Sequence, residues 1–190
     1  MGLIRYIQGL RPVRFDEPVV VLDLETTGLD PRKDRILAVA AVPLQGRRIE
    51  LNRRFVRLLH DDGPVNAESI RHHRLRPVDV RDGVHIESAL PELLSWIGDR
   101  PIVGYATAFD IAFLSRACRR LGVVAPRRFA DVREHVRRRC LRHDPNRPPR
   151  LRFEQIAADL KQPVIGRHDA LGDAVTTALM WIALAELAQA

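Results

Sequence analysis

Five side chains of this chain could together do chemistry on a phosphate. Asp23 and Glu25 close an apolar run, Val19-Val20-Val21-Leu22-Asp23-Leu24-Glu25, just before the polar turn Thr26-Thr27-Gly28. Asp110 ends the segment Gly104-Tyr105-Ala106-Thr107-Ala108-Phe109-Asp110. His168 and Asp173 share His168-Asp169-Ala170-Leu171-Gly172-Asp173-Ala174. An ionised carboxylate in apolar surroundings is costly unless a cation or a strong donor compensates it. Three apolar neighbourhoods that each deliver an acid therefore suggest one metal-filled pocket, and metal-dependent chemistry on phosphates is the leading expectation.

Each residue also has a plainer role to weigh. Asp23 and Glu25 lie two apart at the end of a strand, so both side chains point to one face. A lone Asp-x-Glu is more often a solvated strand end, but here it follows an apolar strand at the carboxyl edge where open α/β sheets place ligands. The amides of Thr26-Thr27-Gly28 could meet a phosphate or a terminal sugar. Asp110 stands three residues after Thr107, the spacing of a capping box, and as a mere helix-end charge it would contribute only about 0.3–1 kcal/mol. Asp173 falls in the first turn or so of the last helix, with Asp169 as a candidate N-cap beside His168. Independent capping would not require all three segments to recur in this order.

These residues need elements to hold them. Val19–Leu24 reads as a central strand buried on both faces, and Ile36–Leu44 as a second apolar strand. Arg48–Arg57 alternates polar and apolar residues as one half-exposed strand, joined to its predecessor by a turn at Gln45-Gly46. Helices are predicted over about Ile86–Ile97, Thr107–Leu121, Val132–Cys140, Leu151–Leu160 and from Asp169 to the C-terminus. Short strands are expected at Pro101–Tyr105 and Arg128–Val132. Residues 1–17 read as a short basic lead-in with Leu3, Ile4, Ile7 and Leu10 at helical spacing, and residues 18–190 as one domain.

The composition narrows the function classes. With 190 residues, 46% hydrophobic and 29% charged, the chain has the make-up of a globular domain. The apolar stretch Ala178–Ala185 is too short to span a bilayer, so no membrane role is expected. Cys118 and Cys140 are too few for a disulfide scaffold or a four-cysteine zinc site, and a reducing cytoplasm is the expected location. The net charge is +7, carried almost wholly by arginine, whose forked guanidinium suits phosphate oxygens. Arginines crowd residues 127–152, including the run Arg137-Arg138-Arg139, opposed only by Asp131, Glu134 and Asp144. They form either a solvated basic face or a surface that guides a single strand by its phosphates.

Taken together, the three segments resemble the three exonuclease motifs of the DnaQ-like superfamily, in the subgroup with a histidine in the third motif. Asp23-Leu24-Glu25-Thr26-Thr27-Gly28-Leu29 is similar to the first, Asp110 downstream of Gly104 to the second, and His168-x-Ala170-x-x-Asp173-Ala174 to the third. Ala67-Glu68-Ser69-Ile70-Arg71-His72-His73 resembles the stretch that precedes the second motif. The chain departs from the pattern at Tyr105-Ala106, where the family commonly carries His-Asn, and at Arg74, where a glycine is usual. The resemblance implies an α/β, ribonuclease-H-like fold with a mixed five-stranded sheet flanked by helices. It implies that Asp23, Glu25, Asp110 and Asp173 hold two divalent cations, for which hard oxygen ligands suit Mg²⁺ or Mn²⁺, and that His168 is the general base. The implied reaction is hydrolysis from 3′ ends of single-stranded nucleic acid, DNA more than RNA, to nucleoside 5′-monophosphates. Thr26, Gly28, Leu29 and His73 would contact the terminal nucleotide, Leu29 either as a wedge between bases or as ordinary packing. The alternative is a catalytically weakened nucleic-acid-binding or regulatory domain on the same fold. With Ala174–Ala190 needed to cover the sheet, no stable polymerase complex is expected, and the chain would act as a monomer or homodimer.

Overall fold

An unbroken apolar run rich in β-branched residues makes Val19–Thr26 the first strand, β1, and its two faces supply two different cores. The computed structural model describes residues 11–64, 67–146 and 148–189, the side chain of Glu68 apart. The expected lead-in pattern of Leu3 to Leu10 and the position of Arg147 lie outside them. Along β1, Val20, Leu22 and Leu24 pack into one core, whereas Val19 and Val21 enter the other. Next come β2 (Ile36–Gln45), β3 (Arg48–Ile49), β4 (Phe55–Leu58), β5 (Ile102–Gly104) and β6 (Phe129–Asp131). The sheet order is β3-β2-β1-β5-β6, and β4 also pairs with β2. β1 runs antiparallel to β2 and parallel to β5, which is parallel to β6. The sheet is mixed, as expected, on a ribonuclease-H-like α/β architecture.

The sheet has six strands rather than five. Residues 48–57 do not form one strand: β3 ends at Ile49, a 3₁₀ turn covers Leu51–Arg53, and β4 begins at Phe55. Pro43 in β2 accounts for the break. Its carbonyl accepts from the amide of Glu50 at 3.0 Å, but it has no N–H to return, so the ladder on that edge is interrupted there.

Helices cover both faces. Ala67–His73 (α1) and Pro77–Val80 (α2) fill a stretch that the sequence pattern leaves as polar chain. Ile86–Ile97 (α3) and Ala108–Leu121 (α4) bury Leu90, Leu93, Ile97, Ile111, Phe113 and Leu114 against the Val20–Leu24 face. Val132–His143 (α5), Phe153–Asp159 (α6) and Ala170–Gln189 (α7) lie on the other face with Val136, Ile156, Met180 and Trp181. α6 starts two residues later than predicted. By length and composition α7 could cross a membrane, but 67% of its apolar window is buried inside the protein, as in the central helix of a packed core.

Candidate active site

The odd-numbered face of β1 continues from Val19 and Val21 into Asp23 and Glu25. Their cross-strand neighbours in β2 are Ala40 and Ala38, which cluster with Ala170 at the start of α7. Three small side chains there leave room beside the acids. α7 packs across β1 and β2 and brings Asp173 in its first turn onto the same spot. Oxygens of Asp23, Glu25 and Asp173 all lie within 4.8 Å of one another. Burial and then repulsion by neighbouring acids push Asp23 well above the ordinary carboxylate range and Glu25 up to about 7, and burial raises Asp173. Oδ1 of Asp173 is buried without a hydrogen-bond partner. An all-oxygen donor set short of positive charge, with an unpaired buried oxygen, fits a hard divalent cation.

Asp110 arrives from the opposite layer, in the first turn of α4, and is 3% exposed. It stands outside the tight trio but is the strongest charged neighbour of Asp23. Burial raises its pKa, while the backbone amides of Leu24 and of Asp110 itself favour the ionised form. The expected capping box does not form. The Thr107 hydroxyl donates instead to the carbonyl of Ala130 at 2.9 Å, tying the helix start to β6, so Asp110 is not engaged as a reciprocal cap.

The third segment is built around close backbone approach. Asp169 caps α7, its Oδ1 accepting from the amide of Gly172 at 2.9 Å. A Cβ on Gly172 would sit 2.3 Å from the carbonyl oxygen of Ile165, so only glycine lets this loop lie on the helix. His168 takes a left-handed backbone, φ 66°, and its amide donates to Oδ2 of Asp173 at 3.2 Å. Its ring meets that of His72 edge-on at 5.4 Å. Burial first, then the charges of Arg167 and His72, hold its pKa below the ordinary histidine value, so it is neutral at pH 7 and able to accept a proton.

The turn after β1 gathers the remaining predicted residues. Thr26 is buried, and its hydroxyl donates to the carbonyl of Gly28 at 2.7 Å. A Cβ on Gly28 would come within 2.5 Å of the Asp34 carboxylate, which accepts from the amide of Asp30 at 2.8 Å and the hydroxyl of Thr27 at 3.2 Å. Leu29 is 85% exposed at the tip, so ordinary packing does not explain it. His73 is buried at the end of α1 close to the backbone of Thr26; Nδ1 accepts from the amide of Leu75 at 3.0 Å, and Nε2 has no partner.

Two residues escaped the sequence reading. Arg167 forms ion pairs with both Asp173 and Glu154, and His72 packs on His168. Their adjacency to His168 and His73 was the only available signal. Both departures from the family pattern fall on left-handed backbone: Arg74 has φ 61° and Ala106 φ 53°. Tyr105 packs edge-on against Phe153, with ring centres 5.0 Å apart, and its hydroxyl donates to the carbonyl of Leu151 at 2.7 Å.

The RNase_T exonuclease family matches residues 20–180, an interval that contains every acid of the site and His168. The chain belongs to the exonuclease family. It sits within the DnaQ-like 3′–5′ exonuclease superfamily. It is 24% identical over 183 residues, 96% of its length, to the PolC-type DNA polymerase III of Caldanaerobacter subterraneus subsp. tengcongensis. Over 99 residues it is 34% identical to the PolC-type DNA polymerase III of Thermotoga maritima. The exonuclease-family chain spans only 13% and 7% of those two polymerases. Among solved structures, E. coli exonuclease I in complex with a dT13 oligonucleotide matches 86% of this chain and 40% of its own, with TM-score 0.74 and 19% identity. The zinc-bound form of the E. coli exonuclease I–ssDNA complex matches 92% and 41%, with TM-score 0.76 and 20% identity. At such identities the structures establish the shared fold.

Proposed function

We propose that this exonuclease domain removes nucleotides from the 3′ ends of single-stranded nucleic acid, DNA in preference to RNA, as nucleoside 5′-monophosphates. The observation that carries the reading is the convergence of Asp23, Glu25 and Asp173 within 4.8 Å, with pKa values held high chiefly by burial. Asp23, Glu25, Asp110 and Asp173 would hold two divalent cations, Mg²⁺ or Mn²⁺. Bound there, such cations neutralise charge at a phosphodiester and acidify water. His168, kept neutral by its surroundings, accepts the proton of the attacking water. The exposed Leu29 and the turn Thr26–Gly28 would seat the terminal nucleotide, with the buried His73 behind that turn. The PolC-type DNA polymerases and the dT13 complex support DNA as the preferred substrate.

In this reading the protein acts in the cytoplasm as a monomer or homodimer without stable attachment to a polymerase. The PolC likeness favours a second reading, a domain that serves a polymerase, and stoichiometric copurification of a polymerase subunit would establish it. The deciding assay is side-by-side digestion of 3′-labelled single-stranded DNA, duplex DNA with a mismatched end, and short RNA, with Mg²⁺ or Mn²⁺. Release of labelled mononucleotide, fastest from single-stranded DNA and abolished by chelator, is expected. Intact substrate under every condition would overturn the proposal.

A further inference from the structure

The carboxylate cluster already contains one positive charge, and no motif assigns it a role. Arg167 precedes His168, and its guanidinium ion-pairs with Oδ2 of Asp173 while Nε donates to Oε1 of Glu154 at 2.7 Å. The group lies over the ring of Phe153, 4.4 Å from its centre, and Tyr105 braces that ring from the side. The Asp173 side chain is 5% exposed, Arg167 31% and Glu154 56%, so the guanidinium spans from the interior of the site to its rim. A planar fork fixed by an aromatic platform and two carboxylates is a built arrangement, unlike an exposed surface pair.

We infer that Arg167 is the resident counter-cation of the acidic cluster, holding Asp173 while no divalent cation is bound and yielding it when one arrives. The inference rests on the reading of Asp173 as a metal ligand. A divalent ion on the unpaired Oδ1 of Asp173 would set a second cation beside the guanidinium on Oδ2, across one carboxylate in a poorly solvated pocket. Glu154 gives Arg167 somewhere to remain: it lies outside the trio, near the surface, and keeps its end of the bridge when Asp173 is released. Arg167 thus keeps one carboxylate of the cluster paired before a metal arrives, at the cost of a competitor for that ligand.

The test is calorimetric titration of Mn²⁺ alone into the metal-free full chain, as wild type, Arg167→Gln and Arg167→Lys, at pH 8.5. Losing one charge-assisted contact to Asp173 should make Mn²⁺ bind about tenfold tighter to Arg167→Gln. Arg167→Lys, which keeps the charge but loses the fork, should fall between the two. Mn²⁺ should also raise the melting temperature of Arg167→Gln by more than that of wild type. Equal or weaker Mn²⁺ affinity in Arg167→Gln, with normal binding by wild type, would overturn this inference and leave the metal reading intact. Absence of Mn²⁺ binding by wild type would overturn both. If Arg167→Gln does not fold, Arg167→Lys decides: tighter than wild type supports the competition, unchanged affinity refutes it.

Discussion

At the scale of single residues, neutrality of His168 matters as much as its position. Its pKa is lowered by burial and by the neighbouring charges of Arg167, His72 and Arg74, so the free-base form predominates at neutral pH. His168→Ala should slow turnover about 10²–10⁴-fold, the usual contribution of a general base. Its Mn²⁺ affinity should stay close to wild type, because the contact to Asp173 is made by the backbone amide and survives the substitution. Single-turnover kinetics beside calorimetry checks this, and a loss of Mn²⁺ binding would make His168 a ligand instead. Asp23→Ala, Glu25→Ala, Asp110→Ala and Asp173→Ala should each abolish most activity while leaving the circular-dichroism spectrum intact. The same-face placement of Asp23 and Glu25 was legible from their spacing, because side chains alternate along any strand. The Asp110 capping box was not, since the Thr107 hydroxyl turns to a carbonyl on β6 that adjoins it only in the folded chain. Arg167 was illegible for the same reason: its partners Glu154 and Asp173 lie on two different helices.

At the scale of elements, strain gathers around the site. Arg74, Ala106 and His168 all adopt left-handed backbone, which costs a residue bearing a Cβ about 1–2 kcal/mol. Arg74 ends α1 immediately after the buried His73, at the position where the resembling family carries glycine. Arg74→Gly should therefore stabilise the protein by about 0.5–1 kcal/mol, after the extra backbone freedom of glycine in the unfolded chain is set against the relieved strain. Because Arg74 also helps depress the pKa of His168, the same substitution should move the acidic limb of the pH–rate profile upward. Denaturant melts and a pH profile check the two effects separately, and a destabilised variant would show that the Arg74 side chain contributes more than its backbone costs. The strands and long helices could be read from apolar runs and helical stripes. What could not be read were α1 and α2, where few apolar residues recur, and the break between β3 and β4. That break depends on which edge of β2 the missing N–H of Pro43 faces, a property of the assembled sheet.

At the scale of the whole molecule, the metal-free protein should be more stable in mild acid than at neutral pH. Glu25 rises from about 4.5 unfolded to about 7 folded, so the native state binds the extra proton and stability falls as pH climbs between those values. Glu25 alone contributes a decline of about 3 kcal/mol, and Asp23, Asp110 and Asp173 act in the same direction. Melting curves in chelator at pH 5 and pH 8 should show this fall, and Mn²⁺ should remove most of it; a flat profile in chelator would mean that the acids are compensated within the protein. The basic surface is less uniform than its sequence suggests, because Glu134 engages both Arg137 and Arg138. Arg133 and Arg142 on α5 form no ion pair within 4.0 Å among the described residues, although the charge of Arg133 acts on Asp131. Replacing both with Gln should flatten the salt dependence of single-strand binding by about 0.7 in log–log slope for each lost phosphate contact. Binding isotherms across a range of salt concentrations measure this, and an unchanged slope would place the strand on another surface.

The length of α7 makes it a ruler between the interior and the chemistry. Asp173 stands on its first turn among the acids, and Trp181, 1% exposed, is wedged in the core farther along the same rod. One residue of helix advances 1.5 Å and turns about 100°. Inserting a single alanine between the two would therefore leave either the indole seated and the carboxylate swung away, or the carboxylate in place and the indole expelled. The phase of the helix, and not only its composition, is thus under the control of a site eight positions from its bulkiest buried anchor, and insertions there should be tolerated far less well than substitutions.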